Sequence, residues 1–598
     1  MKLFDDFPPI ATADWEDQIR TDLKGADYRK KLHWKTDEGI EVKPYYRAED
    51  LAGLEYLTQA SPGRFPFVRG FRTDSNDWAI REEIRATNVT DANLQAREAL
   101  EGGADEVSFT LAPENLEDLQ SLLAGIALDK TAVHFRVGTA AAGVLDLLES
   151  SGTAVRGSVD FDPLGDLAAE GASEDDDVFF ERVEHHVRCA PSRLRVLAVR
   201  AGLIAEAGGT AVQELGFGLA HAAEYVAELT SRGLKAEQAA DAITLHLTAG
   251  PNYFLEIAKF RAARLLYARM VEAFGVADEE SCRAVIAAYT NPWNLTLYDR
   301  YVNVLRGTTE AMAAAIGGCD AIRVAPFDAV RGPADGLSRR LARNTQIILK
   351  REAWFGKQVD PAGGAYFFEV LTDALARESW TLFQRVEAEG GYLAAQQSGL
   401  VQSEVARSAS AKEAAVASRR AVLVGTNQYP DQAEQVIGSL PEPALPVRVA
   451  AGTRLKVQPL IPRRAAEAFE RIRLRTERHA AAGGKVPRFF LLEKGDVRMS
   501  KARSNFIANF LGCGGFETTA SGAMDGADAI VLCSSDEEYP ALAAEVCPKS
   551  GTLPVLVAGY PKASIEALKA AGVAGFLHLG SDPLKELTAW QDRLGVAP

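Results

Sequence analysis

The sequence predicts an α/β protein: a closed parallel (β/α)8 TIM barrel followed by a smaller flavodoxin-like doubly wound domain. Three observations carry that expectation. Between residues 78 and 325, eight β-prone apolar runs alternate with helix-prone stretches, the number that closes a parallel barrel. From Pro487 onward, five more strand-like runs alternate with helices over about 110 residues, the repeat of an open doubly wound sheet. The stretch 291–368 reads as the closing turns of the barrel. It opens on Asn291-Pro292-Trp293-Asn294-Leu295, continues as a helix over 301–316 stopped by Gly317-Gly318, and adds a short strand at 321–325. A second long helix, containing residues 342–349, leads to the turn Asp360-Pro361-Ala362-Gly363-Gly364-Ala365-Tyr366.

In chain order, residues 1–45 form an arm. A helix with Trp15, Ile19 and Leu23 on one face ends at Gly25, and His33-Trp34-Lys35 precedes the turn-like Asp37-Glu38-Gly39. An apolar stripe on so short a helix must bury against the barrel or against another chain. The barrel occupies 46–420, with strands expected at 78–81, 107–111, 132–137, 157–161, 196–200, 243–248, 283–289 and 321–325, and helices at 92–100, 116–128 and 210–232 among others. Residues 421–485 lose the alternation. Pro441, Pro443 and Pro446, then the helix-prone run bearing Arg463, Arg464, Arg471, Arg473, Arg475 and Arg478, read as a linker whose basic side forms a solvated or intersubunit face. In 486–598, strands are expected at 489–492, 516–519, 529–533, 555–558 and 575–579, and helices near 502–511, 537–546, 562–570 and 583–594.

Composition narrows the partners. The net charge of −16, from 82 acidic against 66 basic residues in dispersed positions, excludes nucleic acid, which needs a basic face. No apolar run approaches the ~20 residues of a membrane span, and the start, Met1 to Pro9, lacks a signal-peptide core. Cys189, Cys282, Cys319, Cys513, Cys533 and Cys547 are scattered without a Cys-x-x-Cys pair. They read as buried apolar thiols rather than a disulfide or zinc framework, and the cytoplasm is the expected compartment.

The helix 301–316, the Ala342-Arg343-Asn344-Thr345-Gln346 helix and the Asp360–Tyr366 turn, in this order, resemble the acyl-CoA mutases that use adenosylcobalamin, the methylmalonyl-CoA mutase family. A barrel followed by a flavodoxin-like domain is that family's layout, so the resemblance covers nearly the whole chain. It implies a carboxy-terminal domain that binds cobalamin through Asp-x-His-x-x-Gly after its first strand. There the histidine meets cobalt, the aspartate orients it, and the glycine admits the cofactor.

Here the equivalent stretch is Gly495-Asp496-Val497-Arg498-Met499-Ser500-Lys501. Asp496 matches, but Arg498 replaces the histidine and has no lone pair for cobalt, while Lys501 replaces the glycine. Ser534-Ser535-Asp536 departs from the family's Ser-Ser-Leu, and Gly559-Tyr560 from its Gly-Gly. The domain is expected to be a degenerate cobalamin-binding domain. In the barrel the resemblance implies a Tyr-His pair before a Glu-Ala-Gly turn, where the histidine polarises the thioester carbonyl. Gly202 and Leu203 stand there, ahead of Glu206-Ala207-Gly208, and leucine offers no donor. A second family tyrosine, before the strand at Trp78, has no counterpart between Phe65 and Trp78.

No catalytic, cofactor-binding or metal residue is therefore assigned to this chain. The resemblance implies the smaller, non-catalytic member of a heterodimer whose large (alpha) subunit carries adenosylcobalamin, and an arm that wraps that partner. Two other readings stay open: an active mutase for another acyl-CoA, or a stand-alone acyl-CoA-binding or regulatory protein. His185-His186 resembles a metal pair, but adjacent helical residues diverge by about 100°, so a surface role is expected. His246 reads as a packed or partner-bonded histidine. Residues 252–261 read as a scaffold helix buried on one side, and 360–366 as a turn set by Pro361, Gly363 and Gly364. Ser108 and Thr110 alternate with Val107, Phe109 and Leu111, so their register, and with it whether the barrel admits a CoA chain, stays open.

Overall fold

Eight parallel strands close into a barrel in the computed structural model, which describes residues 10–85, 88–110, 118–151, 155–191, 193–436, 455–521, 524 and 526–597. They are β1 (Ala79–Arg85), β2 (Glu106–Thr110), β3 (Ala132–Phe135), β4 (Arg156–Phe161), β5 (Leu194–Val199), β6 (Ile243–Ala249), β7 (Ile286–Thr290) and β8 (Ala321–Arg323). Each pairs with the next, and β8 returns to β1. A second parallel sheet contains β9 (Arg488–Glu493), β10 (Glu517–Thr519), β11 (Ala529–Cys533), β12 (Val555–Ala558) and β13 (Val573–Leu577). Its order, β10-β9-β11-β12-β13, is the flavodoxin-like one. Among the described residues no helix is long and apolar enough to cross a membrane.

The helices that matter below are α1 (Thr12–Asp22), α2 (Ala141–Ser151), α3 (Asp176–Cys189), α4 (Ala211–Ser231), α5 (Tyr253–Ala273), α6 (Val302–Ile316), α7 (Gly336–Ile347), α8 (Tyr366–Ala388), α9 (Glu467–Ala481) and α10 (Val497–Gly512). A reciprocal capping box starts α4: the Thr210 hydroxyl accepts from the Gln213 amide, and the Gln213 side chain accepts from the Thr210 amide. The expected helix 116–128 is shorter, Leu119–Leu123, and residues 116 and 117 lie outside the described residues.

Helix α5 departs from the one-sided burial expected for 252–261. Glu256, Lys259, Arg261 and Arg264 are all buried along with its apolar residues. Complementary charges on neighbouring helices make this possible. Lys259 donates to Glu214 of α4 at 2.7 Å, and Arg261 to Glu369 of α8 at 2.8 Å and to Asp360. The Asp360 turn is thus tied to the barrel, with Arg69 donating to it as well.

The expected linker is pinned to both sheets. Leu455–Lys456 pairs with Ala172–Ser173, and the Arg463 and Ala465 amides donate to the Glu206 and Trp293 carbonyls. Phe469 and Ile472 of α9 then share a core with Phe489, Phe510 and Trp590. Arg471 and Arg478 are exposed, as the expected solvated face requires, and Arg463 is half-buried, but the other three arginines are engaged. Arg464 pairs with buried Glu470 at 2.8 Å, Arg475 with Asp592 at 2.8 Å, and Arg473 is buried over the Tyr298 ring. Pro441, Pro443 and Pro446 lie outside the described residues. The arm is held more loosely at its start: α1 has no fully buried residue, and Trp15 lies against Tyr45, centroids 5.4 Å apart, and under the Arg47 guanidinium. Further on, Thr36 and Val42 are buried and Glu38 accepts from the Ala211 amide.

Candidate functional site

Pleating sends alternate residues of each barrel strand to the axis, and the hydrogen bonds show which set that is. Arg81 and Glu83, Glu106 and Thr110, His134, Ser158 and Asp160, His246, Tyr289 and Arg323 converge there. The buried Ser108 shares their face, opposite Glu83 and His134 in register. Ser108 and Thr110, whose register the sequence left open, therefore face the axis, and the interior is polar.

Arg81 donates to Glu106 Oε2 at 2.9 and 3.0 Å, and His134 Nε2 lies 3.1 Å from the same oxygen. His134 Nδ1 is 2.9 Å from Ser158 Oγ, which donates to Asp160 Oδ1 at 3.1 Å. His246 is buried with Nε2 3.3 Å from that oxygen, the packed histidine of the two readings expected. Nearer the carboxyl ends of the strands, Glu83 accepts from Thr110 at 2.9 Å, from Arg136 at 3.2 Å and from Arg323. The Arg323 guanidinium lies 4.6 Å from the Tyr289 ring centroid, and the Tyr289 hydroxyl donates to Glu206 Oε1 at 2.6 Å. A chain of complementary charges therefore fills the axis.

The electrostatics agree. Burial would raise the Glu83 carboxyl, but Arg323, Arg136 and Arg85 outweigh it and hold it well below the usual carboxylate range. Burial is likewise outweighed at Glu106 by Arg81 and His134, and at Asp160 by His246 and Arg136. Burial and Arg81 keep the His134 imidazole below its usual range, whereas burial and Glu206 push the Tyr289 phenol well above its own.

Leu203 sits half-buried on the short helix Gly202–Glu206 at the end of β5. A Cβ on Gly202 would come within 2.1 Å of the Tyr289 hydroxyl, so the space of the family tyrosine is taken by a tyrosine from another strand. Above this plug a cleft of about 720 Å³ opens, lined by Arg85, Arg136, Glu206, Arg323, Arg339 and Arg464 among others. Sequence reasoning missed Glu83, Arg136, Glu206, Tyr289 and Arg323. The one available signal was the charged run Arg81-Glu82-Glu83 at and just beyond the end of the expected strand 78–81.

At the second sheet, the residues expected around a cofactor are engaged with each other. Asp496 caps α10 by accepting from the Met499 amide at 2.7 Å. Lys501 pairs with Glu493 at 2.6 Å, and Arg498 is exposed. The Glu538 carboxylate accepts from the Ser534 and Ser535 hydroxyls, at 2.6 and 2.7 Å, and from the Asp496 amide at 3.2 Å. These hydrogen bonds pull its carboxyl down to about 2. Gly495, at φ +81°, has this carboxylate where a Cβ would go. Arg503 leans over Gly559 and pairs with Asp536 at 3.0 Å, while Tyr560 lies against His578, centroids 4.7 Å apart. His578 Nδ1 already accepts from the Gly580 amide. These residues do not fit a corrin whose cobalt takes an imidazole: the loop has no such donor, and carboxylate, guanidinium and phenol groups crowd the approach.

The comparisons with known proteins follow this geometry. The family model described as methylmalonyl-CoA mutase matches residues 35–114 and 110–472. A protein of Porphyromonas gingivalis named methylmalonyl-CoA mutase small subunit is 37% identical, over 100% of this chain and 99% of its own length. A Streptomyces virginiae protein of the same name is 33% identical over the same shares. A Rhizobium meliloti protein named methylmalonyl-CoA mutase is 30% identical, over 74% of this chain and 67% of its own.

Proposed function

The chain belongs to the methylmalonyl-CoA mutase family, and on that premise we propose that it is the small subunit of a heterodimeric methylmalonyl-CoA mutase. The complex interconverts succinyl-CoA and methylmalonyl-CoA. Its large subunit carries adenosylcobalamin, which supplies the radical chemistry, and this chain contributes neither cofactor ligand nor catalytic residue. Full-length similarity to two small subunits carries this reading. The charge-filled barrel axis supports it, because a CoA tail threaded there would have to displace Arg323 and Arg136 from Glu83.

The chain acts by packing against the large subunit and stabilising it. The arm supplies contacts: Ile10, Trp15 and Trp34 are 58, 48 and 52% exposed, and aromatic anchors of this kind concentrate binding energy. Free thiols throughout suit the cytoplasm. The test is turnover of succinyl-CoA with adenosylcobalamin present. The purified chain alone converts none and the reconstituted pair converts it; turnover by this chain alone overturns the proposal.

A further inference from the structure

Two triads of metal-ligating side chains meet between α2 and α3 in the outer helical layer of the barrel. Asp146, His185 and His186 form one, and Glu149, His185 and Cys189 the other; within each, ligand atoms lie within 4.8 Å of one another. The spacing explains the convergence. Asp146 and Glu149 are three residues apart on α2, and His185 and Cys189 four apart on α3, so each pair shares a helix face. Cys189 Sγ is 3.9 Å from His185 Nδ1, close to the ~3.6 Å sulfur–nitrogen edge of a tetrahedral zinc site.

A second observation concerns His186. It is 5% exposed, yet among the described residues it makes no hydrogen bond or ion pair, its neighbours being the rings of Phe161 and His185. One of its ring nitrogens lies within 4.8 Å of an Asp146 carboxylate oxygen and a His185 nitrogen. Asp146 and Glu149 have no cationic partner among the described residues.

We propose that this face binds one divalent transition-metal ion of the zinc type. His185, Cys189 and Glu149 are its ligands, and water takes the fourth tetrahedral position. Mixed sulfur, nitrogen and oxygen donors suit zinc rather than magnesium or calcium, which take oxygen sets. The ion would clasp α2 to α3 and has no part in the mutase reaction. Sequence spacing alone hid the site, because its ligands come from two helices and the adjacent histidines diverge.

The test uses the full chain and zinc alone, followed by equilibrium dialysis and thermal unfolding. One zinc ion per chain is expected, with a raised unfolding midpoint. His185→Ala, at an exposed position, loses at least tenfold in affinity and the shift in midpoint. Cobalt(II) in place of zinc gives thiolate-to-cobalt charge-transfer absorption that Cys189→Ser abolishes. The proposal is overturned if the wild-type chain binds no zinc, if His185→Ala binds it equally well, or if the cobalt form lacks the thiolate band.

Discussion

The Tyr289 hydroxyl occupies the volume that any side chain at Gly202 would need, 2.1 Å from the position of a Cβ, and is held there by its 2.6 Å hydrogen bond to Glu206. The two residues lie on neighbouring elements at the barrel mouth, and the glycine is what admits the tyrosine. Gly202→Ala is therefore expected to destabilise the chain by about 1–3 kcal/mol through overpacking. Adding Tyr289→Phe, which removes the clashing oxygen, recovers part of the loss, as a double-mutant cycle in urea will read.

Glu83 faces Arg85, Arg136 and Arg323. Glu83→Gln leaves those guanidinium groups uncompensated and is expected to cost about 3 kcal/mol at pH 7. The pH dependence has a definite sign. The folded carboxyl titrates below its unfolded value, so the stability it confers is complete above the unfolded range near pH ~4.3 and is lost as pH falls through the lower folded value. Glu106 and Asp160 share that sign. Denaturant midpoints from pH 7 to 3 should fall with acid, less steeply in Glu83→Gln.

Arg498→His combined with Lys501→Gly restores the family residues but not the space around them. Glu538 still fills the approach beside Gly495, and Arg503 still covers Gly559. No spectral change of added cobalamin is expected. Binding by this double variant would show that the two substitutions alone closed the site.

In the arm, α1 has no fully buried residue, and Trp15 keeps about half its surface exposed beside Tyr45 and Arg47. Trp15→Ala with Trp34→Ala is expected to weaken association with the large subunit at least tenfold, about 1.4 kcal/mol. The chain's own stability should shift by no more than ~0.5 kcal/mol. Sedimentation and thermal unfolding separate the two effects, and a fall in the chain's own midpoint would assign the arm to this fold.

The barrel strands were legible because parallel strands bury both faces and read as apolar runs; β5, Leu194–Val199, is an example. The departures at Arg498, Lys501, Gly202 and Leu203 were legible as identities. What surrounds them was not. In β1, Glu82 and Glu83 are equally charged, yet Glu82 turns outward to Arg343 of α7 while Glu83 turns inward to Arg323. A pattern of hydropathy cannot choose between two charged faces. Arg475 of α9 was unreadable for a related reason: its carboxylate partner, Asp592, is distant in sequence. Glu538, which fills the second site, was invisible because its role depends on two serines and a backbone amide converging from different loops.

The central claim is that this chain supports a cobalamin-dependent partner without binding the cofactor itself. Its most direct test is the cobalamin content of the purified complex with a large mutase subunit. One cofactor per pair of chains is the predicted result. Two per pair would contradict the account, because the residues around Arg498, Lys501 and Glu538 would then admit the corrin.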